Sequence, residues 1–315
     1  MQRDVSQIPV WGLPMADVSP TVESRSPFLA RERAQRVSKR LGLWSVLLHQ
    51  RLALTGIAIV GFFLLVAIVG PIFAPYGATE QFSGQQLRGP SPEFRFGTDE
   101  FGRDVLTRLI HGARISFQVG VIAVGISAMI GIVLGLLAGY FGGWVDNVIT
   151  LFMDVLFAFP TILLAIAIMT ALGNSITNVM IAIGLVNAPS FMRVVRGSVL
   201  TVRRTDYVES AVVVGASPQV IMRRHIFPNI TAPLIVHGSL NFAFAVLAEA
   251  SLAFLGLGNR PPAPSWGSMV SSSYSVLQLA PWAAIFPGVA IALTVLGFNL
   301  LGDGLRDALD PKLRH

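Results

Sequence analysis

Several stretches of this chain run for more than twenty residues without a charged side chain, and that feature limits what it can fold into. About twenty apolar residues at ~1.5 Å rise cross a hydrocarbon core ~30 Å thick, so such stretches read as membrane-spanning helices. Inside lipid each backbone amide needs a partner within the protein, which favours helices over open sheets. The charge content agrees: 13% of residues are charged, about half the ~25% usual for soluble domains. Length alone, 315 residues, would suggest one or two soluble domains, but the charge distribution overrides that prior. Disorder, a secreted disulfide scaffold and an ordinary cytosolic enzyme are excluded. The chain reads as an all-α, polytopic membrane protein.

Six spans are expected, at 52–73, 116–140, 148–171, 175–190, 232–255 and 281–302. A basic tail, 1–51, precedes them; its apolar patch at 8–15 is short and holds two prolines, so it lacks a signal-peptide core. A polar loop occupies 74–113, a membrane domain 114–303 encloses a charged segment at 203–229, and 304–315 forms the end. With both termini inside the cell, lysine and arginine divide seventeen inside against six outside, as the positive-inside rule requires. The net charge of +6 therefore reads as orientation; no basic patch with interleaved aromatics points to nucleic acid. In the loop, Asp104 and Arg108 stand at i,i+4 opposite Val105, Leu106, Leu109 and Ile110, with Gly112 closing the turn. That spacing predicts a separate amphipathic helix on the outer membrane face.

The second span carries Ser127, Gly131, Gly135 and Gly139 every fourth residue, a small-residue stripe that predicts a helix–helix seam. Pro160, Pro233 and Pro287 are candidate kinks in other spans. The charged segment reads as two short helices with a sharp break. Residues 206–214 form the first, with Tyr207, Ala211 and Val214 on one face, and Gly215 supplies a left-handed C-cap. Ser217 then offers an N-cap oxygen and Pro218 fills the first helical position. The second helix, 218–226, places Arg223, Arg224 and His225 in its last turn, where cations favour the dipole, and Pro228 ends it.

Some ionisable residues fall inside spans. Glu249 is open to two readings: lining a pathway, or an interhelical hydrogen bond that locks packing. His237 and Asn241, four apart, are further pathway candidates, and Asp154 is read as a cap or an arginine partner. No histidine or acid cluster has metal-ligand spacing, and no catalytic set is found: the chain lacks cysteine, His-Glu-x-x-His and Gly-x-Ser-x-Gly. Its two lysines, Lys39 and Lys312, follow Ser38 and Pro311, so neither belongs to the Gly-Lys-Ser/Thr of a P-loop.

Glu209-Ser210-Ala211, Gly215 and Ile226-Phe227-Pro228-Asn229 resemble the EAA loop of ABC-importer permease subunits, with Ser210, His225 and Phe227 as departures. Three further stretches resemble the C-type permease of the dipeptide/oligopeptide/nickel family: Gly97-Thr98-Asp99-Glu100-Phe101-Gly102-Arg103-Asp104-Val105; Phe254-Leu255-Gly256-Leu257-Gly258 with Pro264-Ser265-Trp266-Gly267; and Gly302-Asp303-Gly304-Leu305-Arg306-Asp307-Ala308-Leu309-Asp310-Pro311. The resemblance runs from about residue 45 to the C-terminus.

It implies a type I ABC-importer transmembrane fold in the cytoplasmic (inner) membrane. Implied partners are a B-type permease, two ATP-binding subunits and an extracytoplasmic substrate-binding protein. ATP and Mg would be bound by the partner ATPases, with no cofactor on this chain. The coupling segment would comprise Tyr207, Glu209, Ser210, Ala211, Gly215, Ala216, Ser217, Pro218, Arg223, Arg224, His225 and Pro228. Dipeptides or oligopeptides are the expected cargo, with nickel chelates or another small solute as the alternative. An ion-coupled secondary transporter is a rival, which predicts inverted repeats that the sequence does not display.

Overall fold

The computed structural model describes residues 50–258 and 262–309. Expectations that fall on the tail 1–49, on Arg260 or on 310–315 lie outside the described residues. In chain order the long elements are α1 (Arg51–Phe73), α2 (Val105–Phe141), α3 (Gly143–Phe157), α4 (Thr161–Leu172), α5 (Ile176–Arg203), α6 (Asp206–Val213), α7 (Pro218–Phe254), α8 (Trp266–Ser273) and α9 (Trp282–Leu309). Five of them, α1, α2, α5, α7 and α9, are long and apolar enough to cross a membrane, and α3 with α4 would make a sixth, broken span.

The spans meet through small residues. A Cβ added to Gly135 would stand 2.6 Å from Val195 Cβ and 2.8 Å from the Met192 carbonyl oxygen on α5. Gly131 meets Phe191 and Met192 in the same way, and Gly139 meets Val199. From the other side, a Cβ on Gly184 of α5 would stand 2.7 Å from Ile126 Cβ. The predicted stripe is thus a seam between α2 and α5, two elements of this chain. A second seam joins α1 to α9, where Gly56 approaches Leu301 and Gly304 approaches Ala53.

Four boundary expectations need correction. The helix expected at 104–112 is no separate element; it forms the first turns of α2, which is 37 residues long. Asp104 does not serve as the i,i+4 partner of Arg108. Its carboxylate caps α2 by accepting from the Thr107 amide at 2.7 Å, while Arg108 turns to Asp99 at 3.4 Å. Gly112 closes nothing: it lies against Trp266 of α8.

The span expected at 148–171 is broken by 91° between α3 and α4. Pro160 has no N–H to give and restricts the residue before it, so the helix stops at Phe157 and restarts at Thr161. Neither piece, at ~1.5 Å per residue, crosses a bilayer alone.

The fourth span does not stop near 190; α5 runs to Arg203. Two arginines that look like a terminus are partnered from α3. Arg196 donates to both Asp146 oxygens, at 2.5 and 2.6 Å, and Arg193 donates to Asp154 at 3.0 Å. The α7 helix likewise continues through Pro228. Ile221–Ile226 are wound as a π turn, with the Phe227 amide reaching back to the Met222 carbonyl. A widened turn immediately before a proline relieves the clash between the ring and the carbonyl one turn back.

The loop 74–104 folds as a cap over one end of the bundle. Tyr76, Phe82 and Phe94 form an aromatic cluster, and Phe96 stacks on Phe286 of α9 at 4.1 Å. Trp282 donates its indole N–H to the Thr98 carbonyl at 3.1 Å. Gly97, at φ +75°, lets that indole lie against the backbone, because a Cβ there would stand 2.5 Å from Nε1.

The α2–α5 seam yields a paired prediction. Gly135→Val should lower thermal stability in detergent by roughly 1–3 kcal/mol, since the new methyls meet Val195 with no room to shift. Gly125→Val, on the open side of α2 with nothing within 4 Å, should unfold within error of wild type.

Candidate functional site

At the end of the bundle opposite the cap, α6 and the start of α7 make a hairpin whose fold follows from local chemistry. Thr205 precedes α6, and the Asp206 and Glu209 carboxylates lie in its first turn, where they favour the helix dipole. At the other end the Gly215 amide bonds the Val212 carbonyl at 2.9 Å and the Ala216 amide bonds the Ala211 carbonyl at 3.0 Å. That pair of bonds is a Schellman motif, and it needs the positive φ of +83° that Gly215 adopts. Pro218 then opens α7 at the first helical position, as expected. Ser217 departs from expectation: it precedes the helix with extended backbone, but its side chain makes no capping bond.

One face of the hairpin is welded to the spans. Val208, Ile221, Ile226 and Ile230 are buried with Val195 and Val199 of α5, and Ala211, Ala216, Met222 and Tyr140 pack around them. The three residues expected on one face divide: Ala211 joins this cluster, while Tyr207 and Val214 are exposed. The outward face is apolar at the turn. Val213 and Val214 are 84% and 86% exposed, beside the exposed Val212 and Tyr207. Three consecutive exposed valines make a small apolar patch at the turn.

The polar residues of the segment stay at the surface. Glu209 and Ser210 are exposed, and the Ser210 hydroxyl donates to the Asp206 carbonyl at 2.7 Å. Glu209 borders a groove of about 710 Å³ with Arg203, Arg204, Val212, Val213 and Pro218. Among the described residues it forms no ion pair, which leaves its carboxylate available. Arg223, Arg224 and Pro228 are exposed and His225 is half-buried. The expectation that these basic groups complement a helix end does not hold, because α7 runs on to Phe254.

The pathway candidates separate. His237 and Asn241 form one cluster with Ser190 of α5: Ser190 Oγ and Asn241 Nδ2 both approach His237 Nε2, at 3.2 and 3.0 Å. His237 borders a cavity of about 580 Å³ that also meets Asp303 and Arg306 of α9. Glu249, twelve residues further along α7, is wholly buried near the cap end, beside Ser116 of α2 and Ser265 before α8. Neither of its carboxyl oxygens has a hydrogen-bond partner among the described residues. It does not share the His237 cavity.

Asp154 meets an arginine, as expected, and the Asp146–Arg196 pair was not foreseen. Its signal was present in the sequence: two acids, Asp146 and Asp154, in an otherwise uncharged stretch, and two arginines three apart just past the next expected span. Among the described residues no group of three or more histidine or acidic side chains could hold a metal.

Similarity to known proteins agrees with this geometry. Residues 131–315, more than half of the chain, match the family model described as "Binding-protein-dependent transport system inner membrane component". Residues 42–90 match the "N-terminal TM domain of oligopeptide transport permease C". The dipeptide transport system permease protein DppC of Alkalihalophilus pseudofirmus is 48% identical over 264 residues, covering 84% of this chain and 87% of that protein. The glutathione transport system permease protein GsiD of Pectobacterium atrosepticum is 44% identical over 272 residues, covering 86% and 90%. GsiD of an Escherichia coli strain is 46% identical over the same length. The chain belongs to the family of binding-protein-dependent transport system inner membrane components.

Proposed function

We propose that this chain is one membrane-spanning half of an ATP-driven ABC importer that carries dipeptides or oligopeptides across the cytoplasmic membrane. The observation that carries the reading is the hairpin. It is rigid by its Schellman turn, fused to α5 and α7 on one face, and apolar and exposed at Val212, Val213 and Val214 on the other. Such an element suits a groove on a partner ATPase, with both chain termini on the same, cytoplasmic side. Two ATP-binding subunits supply the hydrolysis and hold ATP and Mg, a B-type permease completes the pathway, and a binding protein delivers cargo from outside. This subunit itself is non-catalytic.

Coupling then means transmission of force. Driving a transporter from 1:99 to 99:1 takes ~5.5 kcal/mol of differential free energy, so the docked element must not yield. In this scheme Glu209 makes a charge contact at the groove, Gly215 sets the bend and Pro218 fixes the restart of α7. His237 and Asn241, beside their cavity, are the better-placed pathway residues, and Glu249 acts in packing. Both named relatives bear on the cargo: a dipeptide and glutathione are short peptides with free carboxylates, which favours that class over nickel chelates.

Reconstitution with the partner subunits in proteoliposomes tests the reading. Labelled dialanine should accumulate only with ATP inside the ATPase compartment, and accumulation driven by a proton or sodium gradient without ATP would contradict it. Gly215→Val should insert and stay assembled, yet lose uptake by about tenfold or more while ATP hydrolysis continues. A β-branched residue at positive φ is strained, and tenfold corresponds to ~1.4 kcal/mol of lost coupling. Wild-type uptake by this variant would remove the assigned role of the bend.

A further inference from the structure

The cap contains a pocket that the hairpin and the spans do not use. A cavity of about 340 Å³ opens between the loop before α2 and the helix α8, bordered by Phe101, Arg103, Arg108, Pro262, Ser268 and Ser272. Both arginines are 5% exposed, so two guanidiniums have been taken largely out of water. One carboxylate stands between them. Asp99 Oδ2 accepts from Arg103 Nε at 2.7 Å and lies 3.4 Å from Arg108 Nε, while Oδ1 accepts from the amides of Phe101 and Arg103, each at 2.9 Å. Arg108 gives Nη1 to the carbonyls of Ala78 and Pro262. The terminal Nη groups of Arg103 find no acceptor among the described residues.

Glu100 is the other acid close by. Desolvation and the adjacent Asp99 carboxylate raise its carboxyl from its ordinary value, while Arg103 acts to lower it, and one of its oxygens is buried without a hydrogen-bond partner among the described residues. Asp99 engages only the Nε of Arg103, and a buried guanidinium whose terminal N–H groups lack an acceptor is costly until an oxygen reaches them. The pocket therefore offers guanidinium N–H donors, with half-exposed Phe101 and exposed Pro262 as an apolar rim, while the Ser268 and Ser272 hydroxyls already donate to the Ser265 and Met269 carbonyls. Arginine donors within an apolar rim form the usual composition of a protein contact, and the guanidinium fork matches a carboxylate.

We propose that this pocket is a socket for one carboxylate side chain, aspartate or glutamate, of the importer's extracytoplasmic binding protein. The proposal rests on the importer reading and extends it by naming the groups that receive that partner. The socket lies in the cap, ahead of the first turn of α2, where an outside protein reaches it without entering the spans. The Asp99 network holds both guanidiniums in place before docking, so little ordering remains to be done on contact.

The test measures docking directly, with the importer in lipid nanodiscs and its purified binding protein titrated by biolayer interferometry. Ser272→Asp fills the socket with a tethered carboxylate and leaves both arginines present; Ser272→Asn is its neutral control. Docking should weaken at least about tenfold in Ser272→Asp and in Arg103→Gln, stay near wild type in Ser272→Asn, and be unaffected by Arg88→Gln on the exposed part of the same loop. Thermal unfolding of each variant confirms that the cap is intact. Equal docking by Ser272→Asp and wild type overturns the socket and leaves the importer reading standing. Unchanged docking with reduced dialanine uptake also overturns it, by assigning the pocket to substrate. Failure of the wild type to bind the protein overturns the importer reading itself.

Discussion

The close approach of α2 and α5 is the contact on which the rest of the structure depends. Lipid tails are as apolar as leucine, so the hydrophobic effect does little to hold one span against another. Packing must do it, and packing needs backbones close enough for many short contacts. Gly131, Gly135 and Gly139 provide that proximity, and Phe191, Met192, Val195 and Val199 fill the grooves they leave. The same Val195 and Val199 continue into the apolar cluster beneath the hairpin. The seam between two spans and the seat of the candidate coupling element are therefore one body of side chains.

That continuity has an electrostatic component. Along the way to the hairpin, Arg196 and Arg193 of α5 pair with Asp146 and Asp154 on α3. It also has a backbone component. α7 leaves the hairpin without a break, since the π turn at Ile221–Ile226 absorbs Pro228 and keeps the helix continuous to Phe254. The turn at Gly215 is thus joined to the spans by continuous helix on the α7 side. His237 and its cavity lie on that same helix, about five turns from its start.

Much of this was legible in the sequence where the cause is local. The uncharged runs located the spans, the four-residue glycine spacing located the seam, and Gly215 with Pro218 located the turn, because each rests on backbone preferences of neighbouring residues. What was misread depends on partners distant in sequence. Arg193 and Arg196 looked like the end of a span until α3 brought their acids to them. Asp104 and Arg108 looked like a helical ion pair until Asp99 took the arginine and the Thr107 amide took the aspartate. Pro228 looked like a stop because an α-helix cannot accept it in mid-course, and a π turn can. Glu249 reads as an interhelical hydrogen bond or a pathway group, and in the structure it is wholly buried with neither carboxyl oxygen partnered among the described residues. The loop at 74–104 reads as polar and slack, and only the pairing of Trp282 with Thr98 and of Phe96 with Phe286 shows that it is a folded cap.

The central claim is that hairpin and spans move as one unit, and a distance measurement across their junction tests it most directly. The chain has no cysteine, so spin labels can be placed at Gln219 and Thr201, both exposed and outside the three-valine face, without removing any native thiol. Pulsed electron–electron resonance on the assembled importer, without nucleotide and with ATP trapped, then reports the separation of the hairpin turn from the end of α5. A single narrow distance, the same in both states, is the predicted result. A shift or a broadened distribution on ATP binding would show the hairpin moving on its own, and the rigid-unit account would fail.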